Sequence, residues 1–227
     1  MNSSTRAAAA LLALAIANPA SATLIIDDFS TDQSRTGSSG DVSGTGIVGG
    51  ARTFVAGEGE FEVTGGQARF ITQLSSSDTF NSVFRGFLNY GGIDGTSDLN
   101  LDLSSFASTG GILFDVASLG NGADFDPLLT IRLVTAGTGL GSTAQPEFTA
   151  SGAVLVPFSS FFQGGPNGLA DMSDIDWISF DFTSSAQVGG PQFTLNSISV
   201  VPEPSACLCF LAISVVVGSA RSRRSRD

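Results

Sequence analysis

The sequence predicts an all-β fold, a two-sheet sandwich over residues 23–201, with one apolar helix at each end of the chain. Three observations predict it. No sustained 3.6-residue apolar stripe runs between residues 23 and 204. Short runs rich in Val, Ile and Phe appear there instead, several with a period of two. Gly, Ser and Thr separate the runs and supply turns. About ten such strands bury their apolar faces by stacking as two layers.

In chain order the predicted strands begin with Leu24–Phe29, Arg52–Val55, Glu60–Val63, Gln67–Leu74 and Ser82–Tyr90. Gly111–Ala117, Leu128–Thr135, Ala153–Pro157, Ile175–Thr183 and Gln192–Val201 follow. Alternation is clearest in Leu129-Thr130-Ile131-Arg132-Leu133, where leucine and isoleucine share one face. Phe193 to Val200 alternates too, with a shift near Asn196 that predicts a bulge. Thr36 to Gly50 holds six glycines and three serines and reads as a mobile loop. No Lys follows it and no helix opens after it, so it is not a phosphate-binding loop.

Both ends carry transport signals. Met1 to Arg6 has one positive charge, Ala7 to Ala17 is an apolar run of eleven residues, and Ala20-Ser21-Ala22 is a small-x-small site. This is a secretory signal peptide over residues 1–22, with cleavage expected between Ala22 and Thr23. At the other end, residues 202–227 begin with Pro202-Glu203-Pro204 and continue with an apolar stretch from Ala206 to Ala220. Arg221, Arg223, Arg224 and Arg226 close the chain. Fifteen residues in a helix reach about 22 Å, short of the ~30 Å hydrocarbon core. Local thinning and snorkelling arginines accommodate such a short transmembrane helix, and the arginines hold that end on the cytoplasmic side.

Motif, apolar run and arginine cluster, in that order, resemble the PEP-CTERM sorting signal of Gram-negative bacteria. The resemblance covers residues 201–227. It implies processing near Pro-Glu-Pro by an exosortase, a membrane-embedded cysteine transpeptidase. The expected export partners are therefore the Sec translocon, signal peptidase and exosortase, with transient anchoring in the inner membrane.

Composition excludes several functions. Between residues 23 and 204 stand 20 acidic residues and five arginines, a net charge of −15, so nucleic acid and anionic lipid are repelled. The chain has no histidine, which removes Ser-His-Asp and Cys-His chemistry and any imidazole metal site. Its only cysteines, Cys207 and Cys209, lie in the C-terminal apolar run, as apolar filler or as thiols for lipidation or a mixed disulfide. Any enzyme built here depends on carboxylates.

Several phrases resemble the galactose-binding-like jelly roll of many carbohydrate-binding modules. Leu24-Ile25-Ile26-Asp27-Asp28-Phe29 resembles its opening strand, and Leu101 to Phe106 with Gly111 to Phe114 its central segment. Val154 to Phe161, Ile175 to Phe182 and Phe193 to Val200 resemble its later strands. The resemblance implies a jelly-roll-like β-sandwich and a structural calcium between the opening acidic strand and an Asp of the last strand. Here Asn196 stands at that last-strand position and offers a neutral amide oxygen. Asp27, Asp28 and Asn196 are thus the candidate calcium site, although alternation puts Asp27 and Asp28 on opposite faces. A solvated strand end is the plainer reading of the two aspartates.

Two other acidic clusters read as turns. Asp98-Leu99-Asn100-Leu101-Asp102 imitates the start of an EF-hand loop, but Leu103 and Thr109 replace its required glycine and glutamate. Asp171, Asp174 and Asp176 form a turn cluster in which Asp171 caps a helical turn.

The sharpest ligand candidate is Trp177. Alternation puts Ile178, Phe180 and Phe182 on one face and Trp177 with Ser179 and Asp181 on the other. An indole beside a hydroxyl and a carboxylate suits a sugar, the indole stacking and the polar groups binding hydroxyls. Ile175 falls on the same face, so a loop-covering role is the plainer reading of Trp177. The chain's eighteen phenylalanines are expected in the core.

Together these features predict an exported, non-catalytic protein, held at the cell surface or in the extracellular matrix and sorted through its C-terminal signal. The alternative is a carbohydrate-binding module acting on neutral exopolysaccharide. A carboxylate-dependent glycosidase is a third reading with no legible catalytic spacing.

Overall fold

The computed structural model describes residues 23–36, 40–74, 82–91, 99–120, 128–186 and 190–202. The signal peptide with Ala20 and Ala22, and the sorting signal from Glu203 and Pro204 through the arginines, lie outside these residues. Thr23 and Pro202 lie within them. Among the described residues no helix is long and apolar enough to cross a membrane.

The described chain is all-β, arranged as two antiparallel sheets. The strands are β1 (Leu24–Asp27), β2 (Gln33–Thr36), β3 (Gly40–Ser43), β4 (Ala51–Glu58) and β5 (Glu60–Thr64). Next come β6 (Gln67–Leu74), β7 (Ser82–Tyr90), β8 (Gly110–Leu119), β9 (Leu128–Thr135) and β10 (Leu140–Ala144). The last are β11 (Gly152–Pro157), β12 (Phe162–Gln163), β13 (Trp177–Ala186) and β14 (Gly190–Pro202). Short 3-10 turns occupy Val48–Gly50, Ser104–Phe106 and Phe158–Ser160.

The first sheet runs β2-β5-β6-β14-β8-β11, with β1 lying along β14 beyond the end of β6. The second runs β3-β4-β7-β13-β9-β10-β12. Strand β6 joins them, because its last residues Gln73 and Leu74 pair with β7. Register along β14 shifts between Leu195 and Ser197, so the bulge expected at Asn196 is present.

Aromatic packing holds the layers together. Phe54 of the second sheet stacks on Phe61 of the first at 4.4 Å between ring centroids. Phe70 meets Phe182 at 4.1 Å, and Phe114 meets Phe180 edge-on at 5.5 Å. Each such ring buries a large apolar area, and each pair adds ~0.5–1.5 kcal/mol through its geometry. Among the described residues eleven phenylalanines are buried, so this residue does supply much of the core.

The structure corrects the loop reading of Thr36 to Gly50. Gly40–Ser43 is a strand on β4, and Val48–Gly50 is a 3-10 turn beside the buried Ile47. Strands β2, β10 and β12 also lie outside the predicted set. All are short or polar, and backbone hydrogen bonding to a strong neighbour is enough to hold them without an apolar run.

Candidate functional site

Asp27 lies at the centre of a buried polar cluster. A register shift between Ile25 and Asp27 turns both Ile26 and Asp27 inward, while Asp28 faces solvent. Asp27 Oδ2 accepts from Arg52 Nη1 at 2.7 Å and from the Tyr90 hydroxyl at 2.8 Å. Its Oδ1 accepts from the Phe29 backbone N–H at 2.8 Å. Arg52 also donates through Nε to Gln33 Oε1 at 2.9 Å and through Nη2 to the Thr31 carbonyl at 2.8 Å. The guanidinium carbon stands 5.5 Å from the Phe29 ring centroid, in cation–π range. The turn that allows this puts Phe29 at φ 52°, a left-handed conformation costly for a bulky residue. Burial pushes the Asp27 carboxyl above its ordinary value, against the pull of Arg52 and the hydrogen bonds. Burial and the Asp27 charge hold the Tyr90 hydroxyl well above its own.

The three candidate calcium residues do not converge. Asp27 faces Arg52. Asp28 Oδ1 accepts from the Ser30 backbone N–H at 2.9 Å, and Asn196 Oδ1 accepts from Gln67 Nε2 at 2.9 Å. Calcium takes six to eight oxygens, and this donor set does not fit it. The Arg52 guanidinium already occupies Asp27 Oδ2. Among the described residues no group of three or more Cys, Asp or Glu side chains is arranged to hold one.

The turn aspartates cap backbone. Asp102 Oδ1 accepts from the Ser104 N–H at 2.8 Å, which opens the 3-10 turn there. Asp171 Oδ1 accepts from the Ser173 N–H at 2.9 Å and from the Ser173 hydroxyl, and these bonds lower its carboxyl below the ordinary value. Asp176 Oδ2 accepts from the Ala136 N–H at 2.6 Å. Asp98 lies outside the described residues.

Trp177, Ser179 and Asp181 do share the outward face of β13, opposite the buried Ile178, Phe180 and Phe182. Ile175 does not join them. It precedes the strand, pairs with Leu101 and is fully buried, so alternation does not extend back to it. Strand β13 lies between β7 and β9, which places Asn89 and Arg132 on either side of Ser179. Phe87 and Thr130 flank Asp181 in the same way. Beyond Asn89 stands Thr53 of β4, whose hydroxyl donates to Asp41 Oδ1 at 2.6 Å.

Although they point outward, Thr53, Asn89 and Ser179 are buried, and Trp177, Phe87 and Asp181 are half-buried. Three buried polar atoms on this face have no hydrogen-bond partner: Asn89 Oδ1, Trp177 Nε1 and Asp181 Oδ1. Burial raises the Asp181 carboxyl above its ordinary value, while Arg132 and Arg85 pull it down. Asn89 is the residue that sequence reasoning missed. Its signal was its position between the inward-facing Leu88 and Tyr90, but only strand pairing brings it beside Ser179.

Fold and face together define an all-β sandwich whose second sheet carries a half-buried indole over an incompletely bonded polar row. No protein-family model matches the chain, and comparison with curated proteins returns no match.

Proposed function

We propose that the protein is an exported, non-catalytic component of the cell surface or extracellular matrix. In this reading its jelly-roll-like sandwich is delivered by the N-terminal signal and the PEP-CTERM-type tail. One observation supports the reading: the described strands reach to within a residue or two of both expected processing sites. Strand β1 begins at Leu24, one residue after Thr23, and β14 ends at Pro202, the first residue of Pro-Glu-Pro. Leu24 pairs with Val200, so the described chain begins and ends at neighbouring strand ends. Removing residues 1–22 and 203–227 takes no described strand from either sheet. Export through the Sec translocon, cleavage by signal peptidase, brief anchoring in the inner membrane and release by an exosortase follow from this reading.

Intact-mass analysis of protein from the native envelope tests it. The expected species begins at Thr23 and ends near Pro204. A full-length form ending at Asp227 in an exosortase-competent host would refute the processing.

A second reading, a carbohydrate-binding module acting on neutral exopolysaccharide, is favoured by the Trp177 face. Its buried, unpartnered polar atoms beside half-buried rings suit a hydroxyl-bearing ligand better than bare solvent.

A further inference from the structure

We infer that the outer face of the second sheet, between Trp177 and Phe87, binds a neutral, hydroxyl-rich oligosaccharide laid along β13. Asn89 and Asp181 accept from its hydroxyls, and Trp177 Nε1 donates to one of its oxygens. The inference deepens the second reading above and rests on it.

The unpartnered atoms specify the ligand. Buried polar groups are normally hydrogen-bonded, and three neighbouring exceptions on one face mark incomplete bonding. Asn89, only 5% exposed, holds an unpartnered amide oxygen at a position directly across from Ser179. Two of the orphan atoms are acceptors and one is a donor, so the ligand must bring both kinds of group. A hydroxyl brings both. Phosphate and carboxylate ligands lack the donors and would face Asp181 as like charges. A hydrocarbon would leave all three atoms unpaired.

Spacing specifies the length. Asn89 lies directly across from Ser179, midway between Trp177 and Asp181. Trp177 and Asp181 are four positions apart on one extended strand, about 14 Å at ~3.4 Å per residue. That exceeds a single sugar ring and fits a short chain of linked rings. The half-buried indole at one end and the half-buried Phe87 beside Asp181 are the aromatic groups available for the apolar sides of sugars.

Charge agrees. On the outward positions beside Asp181 stand Arg85 and Arg132, so this end of the face is less anionic than a region whose net charge is −15. A neutral glycan meets no opposing field there, whereas a polyanion approaches a repelling protein.

The test is titration of the full chain, held in detergent, with neutral hexose oligosaccharides and with uronic-acid oligosaccharides of equal length. The expected result is binding of the neutral series, weakened about fivefold or more by Asn89→Ala and by Phe87→Ala. Leu169→Ala, an exposed loop position away from the face, should leave binding unchanged. Asn89→Asp, an isosteric variant, should also lose affinity, and it replaces Asn89→Ala if that variant fails to fold. Neutral-glycan binding indifferent to Asn89 and Phe87 would overturn this site while leaving the second reading intact. Preference for the uronic-acid series would overturn the ligand class. Absence of binding to both series would overturn the site and the second reading together.

Discussion

Arg52→Met is the most informative single perturbation of this fold. Both members of the Arg52–Asp27 pair are fully buried, with Nη1 and Oδ2 2.7 Å apart. Methionine keeps most of the side-chain length and removes the charge. It leaves Asp27 inside with only the Tyr90 hydroxyl and the Phe29 N–H as partners, and strips Gln33 Oε1 and the Thr31 carbonyl of a donor. Removing one member of a buried pair costs about 3–5 kcal/mol, because the other charge stays uncompensated. For a domain of this size each kcal/mol moves the melting temperature roughly 2–4 °C, so the expected drop is about 6–20 °C. Calorimetry or urea denaturation followed by circular dichroism measures it.

The pH dependence has a definite sign. Burial already holds the folded Asp27 value above its ordinary one, despite Arg52. A raised folded value makes proton uptake stabilising. That contribution is complete below the unfolded value of about 3.9 and is lost as pH rises through the folded value. Without Arg52 the folded value climbs further, so the variant's deficit is largest at neutral pH and shrinks on acidification. Asp27→Asn in the same chain should recover part of the loss, because no charge then remains buried. A cost below about 1 kcal/mol at pH 7, the level of an exposed ion pair, would refute the buried placement.

Other expectations follow from particular contacts. Gly111→Ala puts a methyl group against the Val156 carbonyl and 2.8 Å from Pro157 Cα, both backbone of β11, so that strand must move. The urea midpoint should fall by the equivalent of about 1–3 kcal/mol, and an unchanged midpoint would contradict the β8–β11 pairing. Trp177→Ala should remove glycan binding at a cost well short of the ~3–5 kcal/mol of a core Trp truncation, because the indole is half-exposed. A full core-sized loss of stability would make Trp177 a packing residue.

Much of the fold was legible in the sequence. Period-two patterns determined most of the long strands, and they assigned Trp177, Ser179 and Asp181 to one side of β13. Such a pattern records which way each side chain points, because that alternation belongs to the strand itself. It does not record which strand lies alongside. Arg52 shares the parity of the buried Phe54, so its inward direction was readable. Its partner Asp27 lies 25 residues away and turns inward through a register shift that no alternation announces. Asn89 and Ser179 meet only because β7 and β13 pair. The short strands β2, β3, β10 and β12 depend on neighbours that offer free backbone groups. The three expected calcium ligands do not come together for the same reason: residue types suggested a shared site, and tertiary packing gave Asp27 a guanidinium and Asn196 an amide as partners. Direction along a strand is local and written in the sequence, whereas company across the sheets and through the core is decided by packing the whole chain.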